Sequence, residues 1–198
     1  GLVAALDKSQ ASPTGEQSTA TVILSQYLAN GESLAKHQIL VVYPSNQEMD
    51  LNLMRNATSA DWAQFLNEMQ DSATVEAEGI GQILAMVGDP NDPVATAMGR
   101  TNVIYQLNVD DPATYAAAWS DFAGANLQAG NVSYLSSVLA YGTNPGTHVV
   151  NNVYSSPGEA LSNQPQSMEG FDVFLQRVSS IRAVVGRVVT TVVGEWRP

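Results

Sequence analysis

Residues 101–109, TNVIYQLNV, alternate strictly: Val103, Tyr105, Leu107 and Val109 on one side, Asn102, Ile104, Gln106 and Asn108 on the other. A period of two predicts a strand with one buried face. Asp110-Asp111-Pro112 follows, an acidic cap with proline in the first turn, and predicts a helix running to about Ala123 and ending near Gly124. VSYLSSVLAYG (132–142) reads as a strand, Thr143-Asn144-Pro145-Gly146 as a turn and THVVNNVYSS (147–156) as the returning strand. A helix is expected at about 167–180, and the β-branched run Val184–Val193 closes the series. The element order is β-α-β-β-α-β.

The first half carries the same pattern. LSQYLANGESLAKHQILVVYPS (24–45) aligns without a gap on LSSVLAYGTNPGTHVVNNVYSS (135–156), at an offset of 111, with nine of 22 positions identical. His37 falls on His148, Tyr43 on Tyr154, Ser45 on Ser156 and Glu48 on Glu159. These are the chain's only two histidines, and each opens a predicted strand. The echo continues more loosely. DWAQFLNEM (61–69) resembles FDVFLQRV (171–178), GQILAMVG (81–88) resembles GRVVTTVV (186–193), and LVAALDK (2–8) falls on ATYAAAWS (113–120). Duplication accounts for this better than chance. The glycines of GIGQ (79–82) stand at a strand and read as a bulge or a close approach.

Fold class follows as α+β: two tandem ferredoxin-like β-α-β-β-α-β units, the first lacking its first strand, which is expected before Gly1. The domains are 1–88 (first repeat, incomplete), 89–100 (linker) and 101–198 (second repeat). Element order and duplication together resemble the dimeric α+β barrel superfamily in its fused form, where one chain carries both halves. The resemblance covers nearly the whole chain. It implies that the two sheets close into a barrel with a small-molecule pocket between them. It also implies activities such as cofactor-independent oxygenation or isomerisation, here on an aromatic or polyketide-like substrate. The alternative is a non-catalytic structural or interaction module with a filled interior.

Alternation then nominates side chains. His148, Val150, Asn152 and Tyr154 share one strand face; His37, Ile39, Val41 and Tyr43 match them in the first repeat. The more polar face is expected to line the pocket. His148 is the candidate general base, with Tyr154 or Asn152 as oxyanion donors. His37 and Tyr43 are candidate ligand contacts. Both histidines also fit a purely structural role, hydrogen-bonding loop atoms where a turn enters a strand. Asn102, Gln106 and Asn108 form an amide row that needs water or partners, and Arg187 could hold an anion beside it. Trp62, Phe65, Trp119, Phe122 and Phe174 sit at helical spacing and read as core against the sheet; Glu48 and Glu159 read as solvated or helix-capping carboxylates.

Composition narrows the field. Eight Lys+Arg against 19 Asp+Glu give a net charge of −11, which repels nucleic acid and anionic lipid. No apolar run approaches the roughly 20 residues of a membrane span. With no cysteine, disulfides, thiolate catalysis and iron–sulfur clusters are excluded. No metal site is expected, because neither histidine has a carboxylate at ligand spacing. No cofactor is expected either; haem is disfavoured, since neither histidine lies on a helix. GxGxxG, P-loop, GxSxG, HExxH and EF-hand signatures are absent. The compartment is left open, bacterial export and cytoplasm both being compatible. An unfilled edge in the first repeat could recruit a second copy into a homodimer.

Overall fold

The computed structural model describes residues 1–141 and 146–198. In chain order the elements are α1 (Leu2–Gln10), β1 (Thr21–Ala29), β2 (His37–Val42), α2 (Asn46–Ala57), α3 (Ala60–Ser72), β3 (Gly79–Val87), α4 (Pro93–Thr96), β4 (Thr101–Val109), α5 (Pro112–Asn126), β5 (Val132–Tyr141), β6 (His148–Tyr154), α6 (Pro157–Ser162), α7 (Phe171–Val178) and β7 (Arg182–Trp196). Among these residues the chain is α+β with a seven-stranded antiparallel sheet.

Two compact units are present. The first comprises Gly1–Ser25, His37–Glu76 and Val193–Pro198; the second comprises Gln26–Lys36 and Ala77–Val192. The units interleave in sequence. The physical reason is strand pairing: β3 zips onto β5 from Gly79↔Tyr141 to Val87↔Ser133, so it counts with the second unit.

In the second unit the strand order is β7-β4-β6-β5-β3. On one face Leu107, Leu135 and Val150 pack against Tyr115, Ala118 and Trp119 of α5 and Phe174 and Val178 of α7. Phe122 and Phe174 stack at 4.9 Å between centroids, and Tyr115 meets Phe174 edge-on at 6.2 Å. On the other face Val132 and Val153 bury against Ala95 of α4. The segment 89–100, expected only to link, therefore covers part of a sheet face. In the first unit the order is β2-β1-β7, and Leu6, Val22 and Leu24 form the core with Phe65 and Trp196 beside them. The Trp196 indole donates to Asp7 at 2.9 Å, and Lys8 pairs with Glu68.

Local chemistry explains the element starts. Ser45 and Ser156 cap α2 and α6 by accepting from the backbone N–H of Glu48 and Glu159, each at 3.2 Å. Asp111 caps α5 through the Thr114 N–H, with Pro112 in the first turn. β1 and β5, β2 and β6, and α2 and α6 each begin 111 residues apart, the offset read from the sequence. The helix expected at 167–180 is the shorter α7, entered from Gly170 at φ +73°; α6 stands before it as a separate turn-and-a-half. Thr143, Asn144 and Pro145 of the expected turn lie outside the described residues. Gly146, the last residue of that turn, has φ +88°, and a Cβ there would strike the Leu107 backbone. At Gly81 the β3–β5 register shifts, and a Cβ would come within 2.6 Å of the Ser137 oxygen, so this glycine marks a bulge and a close approach at once.

Candidate functional site

In the second unit the sheet and its helices leave a cavity of about 190 Å³ between them. Its floor is laid by successive strands. Arg187 of β7 pairs in register with Tyr105 of β4, Tyr105 with Val150 of β6, and Asn152 of β6 with Ser133 of β5. Residues directly opposite across antiparallel strands share a face. Tyr154 completes the floor; Trp119 and Phe122 of α5 and Phe171 and Phe174 of α7 form the wall. The connection from Asn163 to Met168 borders one side.

The charged groups of this cavity are cations resting on rings. The Arg187 guanidinium lies 5.0 Å from the Tyr105 ring centroid and donates to Gln164 Oε1 at 2.6 Å. Arg182 lies 5.6 Å from the Phe174 centroid. No Asp, Glu or His is among the described residues lining the space. A cation held by a ring and an amide keeps its charge available to an anion, which a carboxylate partner would neutralise. Burial raises the Tyr105 phenol, against the pull of Arg187 and Arg182. It pushes Tyr115 and Tyr154 up to about 12, so all three enter the neutral pH range as O–H donors. Asn152 accepts from the Ser133 hydroxyl at 2.5 Å through Oδ1, which leaves its NH2 to offer.

The sequence-nominated residues separate into groups. Tyr154, Asn152 and Arg187 come together in this cavity. It lies on the helix side of one sheet, whereas the pocket was expected between two sheets. Arg187 faces Tyr105 rather than the amide row. His148 opens β6 on the same strand face but does not line the space; it is buried, its Nδ1 is 2.9 Å from Thr147 Oγ1, and burial lowers its pKa. His37 is exposed at the start of β2. Asn102 is buried on the opposite face of β4 and donates to Thr190 Oγ1 at 3.3 Å. Gln106 lies over Gly186, and Asn108 is half-buried in register with Ala183. Glu159 sits at the third residue of α6 and accepts from Ser155 and from Asn131; burial raises its pKa, but these hydrogen bonds outweigh it and hold the carboxyl below its usual range.

Tyr43 borders a separate cavity of about 60 Å³ within the first unit, lined by Val22, Val41, Asn52, Asn56, Trp62 and the loop after α1. Burial raises its phenol as well. Asn52 is buried there and donates to Ser18 Oγ at 2.8 Å.

Sequence reasoning did not nominate Tyr105, Tyr115, Asn131, Ser133 or Arg182. A signal existed for Tyr105, the one phenol in the apolar row of β4. For Tyr115 and Trp119 helical spacing says only "core", and a cavity wall has the same spacing as a filled one. Among the described residues no group of three or more metal-ligating side chains gathers, and no helix is long and apolar enough to cross a membrane.

No family model matches the sequence, and no curated protein matches it. Solved structures do match in shape. An inferred monooxygenase of Fusobacterium nucleatum is similar over 98% of this chain and 85% of its own, with 12% identity and a TM-score of 0.59. An inferred monooxygenase of Lactobacillus acidophilus is similar over 97% and 85%, with 16% identity and a TM-score of 0.55. An anthrone oxidase-like protein is similar over 89% and 77%, with 12% identity and a TM-score of 0.53. At these identities the likeness establishes fold alone.

Proposed function

We propose that the chain is a fused dimeric α+β barrel whose second unit binds a planar, oxygen-bearing aromatic molecule as its anion. We further infer that cofactor-independent oxygenation of that molecule is the chemistry served. The barrel reading is supported by the order β7-β4-β6-β5, in which the four strands of the second β-α-β-β-α-β series lie fourth, first, third, second. That is the order of a split βαβ pair. The three monooxygenase- and oxidase-type neighbours accord with it.

The observation that carries the function is Arg187 stacked on Tyr105 in the floor of an aromatic-walled cavity. A flat ring system fills the cavity against its aromatic wall, and its phenolate or enolate oxygen meets Arg187. Arg187 and the Tyr154 O–H lower the substrate's own pKa by stabilising its anion. No side chain lining the cavity is a ready base at neutral pH, so ionisation on binding takes that part, and His148 serves structure. The electron-rich anion then reacts with dioxygen: a ring CH2 becomes C=O and water leaves, which balances without a cofactor.

The test is oxygen uptake by the metal-stripped protein with 1,8-dihydroxyanthrone. Turnover above the spontaneous rate, lost in Arg187→Gln, is expected. Equal rates with and without protein defeat the oxygenase reading. A non-catalytic role is favoured for the first unit alone, whose cavity is about a third the size and has no cation. β2 ends the first unit's strand order with Ile39, Leu40 and Val41 exposed, and a second copy is the proposed occupant of that edge. Sedimentation of a dimer at micromolar concentration is expected, with monomer in Leu40→Lys.

A further inference from the structure

The cavity has a second polar end that its cations do not reach. Asn131 borders it just before β5 and is 3% exposed. Its Nδ2 donates to Glu159 Oε1 at 2.8 Å, while its Oδ1 is buried with no hydrogen-bond partner among the described residues. A buried carbonyl oxygen without a donor is destabilising, and in a native fold such an atom asks for an explanation. The orientation is not free to relax. Glu159 Oε2 accepts from the Ser155 N–H at 2.8 Å and from its hydroxyl, so Oε1 is what remains for Asn131. A carboxylate only accepts, hence the Asn131 NH2 must face it and the carbonyl must face away.

β5 and β7 are three strand spacings apart in the order β7-β4-β6-β5. At roughly 4.8 Å each this separates the two ends of the floor by about 14 Å. The Arg187 head, drawn over Tyr105 of the neighbouring strand, shortens that span to about two spacings, the length of a two- to three-ring molecule with oxygens at both ends.

Resting on the reading of the cavity given above, we propose that Asn131 is a specificity-determining residue that accepts a hydrogen bond from a hydroxyl of the ligand. That hydroxyl lies at the end opposite the oxygen held by Arg187, with Glu159 as the positioning residue that keeps the Asn131 carbonyl turned to the ligand. The ligand class is thus a planar aromatic anion with a distal O–H donor.

Three naphthoates test it by calorimetry at pH 7: 2-naphthoate, 6-hydroxy-2-naphthoate and 6-methoxy-2-naphthoate. The unaltered protein should bind the hydroxy compound about tenfold more tightly than either of the others, the worth of one good buried hydrogen bond. Asn131→Ala should flatten the series. Glu159→Gln keeps the capping position and its acceptor for Ser155, but offers an NH2 to Asn131; the amide then turns over, and the methoxy compound should overtake the hydroxy one. Equal affinity of all three naphthoates for the unaltered protein overturns the role of Asn131 and leaves the anion site standing. Binding of none of them overturns both. A series unchanged in Glu159→Gln refutes the positioning role.

Discussion

The two units hold cavities that differ in kind. At the offset of 111, Tyr43 corresponds to Tyr154, Asn52 to Asn163 and Glu48 to Glu159, so the frame is kept. The lining is not. Where the second unit has Asn131, Ser133 and Asn152, the first has Ala20, Val22 and Val41. One cavity measures about 190 Å³ and carries two arginines; the other measures about 60 Å³ and is lined by amides, hydroxyls and small apolar groups. Helix caps and strand starts constrain folding in both halves, so those residues persist. On the proposed function, donors and cations stand where a ligand binds. On the same reading, the difference teaches that the shared histidines, prominent in the sequence, belong to the frame and the unshared residues to the site.

Packing provides the largest contrast. Phe174→Ala should destabilise the chain by about 3–5 kcal/mol, since it empties a stacked aromatic cluster, whereas half-buried Phe65→Ala in the first unit should cost about 1–2 kcal/mol. Denaturant midpoints measure both, and equal losses would break the asymmetry. Next comes charge. Arg187→Gln should weaken 6-hydroxy-2-naphthoate binding about 10- to 100-fold, and Tyr43→Phe should leave it unchanged. Weakening by Tyr43→Phe would move the site to the first unit. Importing the first unit's residue is milder: Asn152→Val should reduce affinity about three- to tenfold and lower the melting temperature by a few degrees, because the buried Ser133 hydroxyl loses its acceptor.

The smallest effect is one of pH. Burial lowers the folded-state pKa of His148 below that of the unfolded chain, so below the ordinary histidine range the unfolded state takes up more protons. Stability is therefore full above about pH 7 and falls as pH drops toward 5. His148→Gln should flatten this slope, visible as a melting-temperature difference of a few degrees at most. An unchanged slope in His148→Gln would show that other groups dominate acid sensitivity.

Much of the fold could be read in one dimension. Period-two alternation located β4, β5 and β6 to within a residue or two, Asp-Pro located the cap of α5, and the matched block at offset 111 placed corresponding elements in both halves. The helix before β7 was less legible, because α6, a Pro-bearing connection and α7 share one stretch of weak pattern. The site was half legible. Asn152, Tyr154 and Arg187 could be nominated from residue type and alternation, but Tyr115, Asn131 and Arg182 could not, since nothing in their spacing distinguishes a cavity wall from core.

By itself, then, the sequence determined which residues alternate and where elements start, because these depend on interactions between near neighbours. Only the tertiary structure decided which face of β6 turned to the helices. It brought Arg187 onto Tyr105 across 82 residues of chain, through the β4–β7 register, and left Asn131 with one amide atom bonded and the other waiting. Those are matters of long-range register and of where packing stops short of filling space, and no local pattern encodes either.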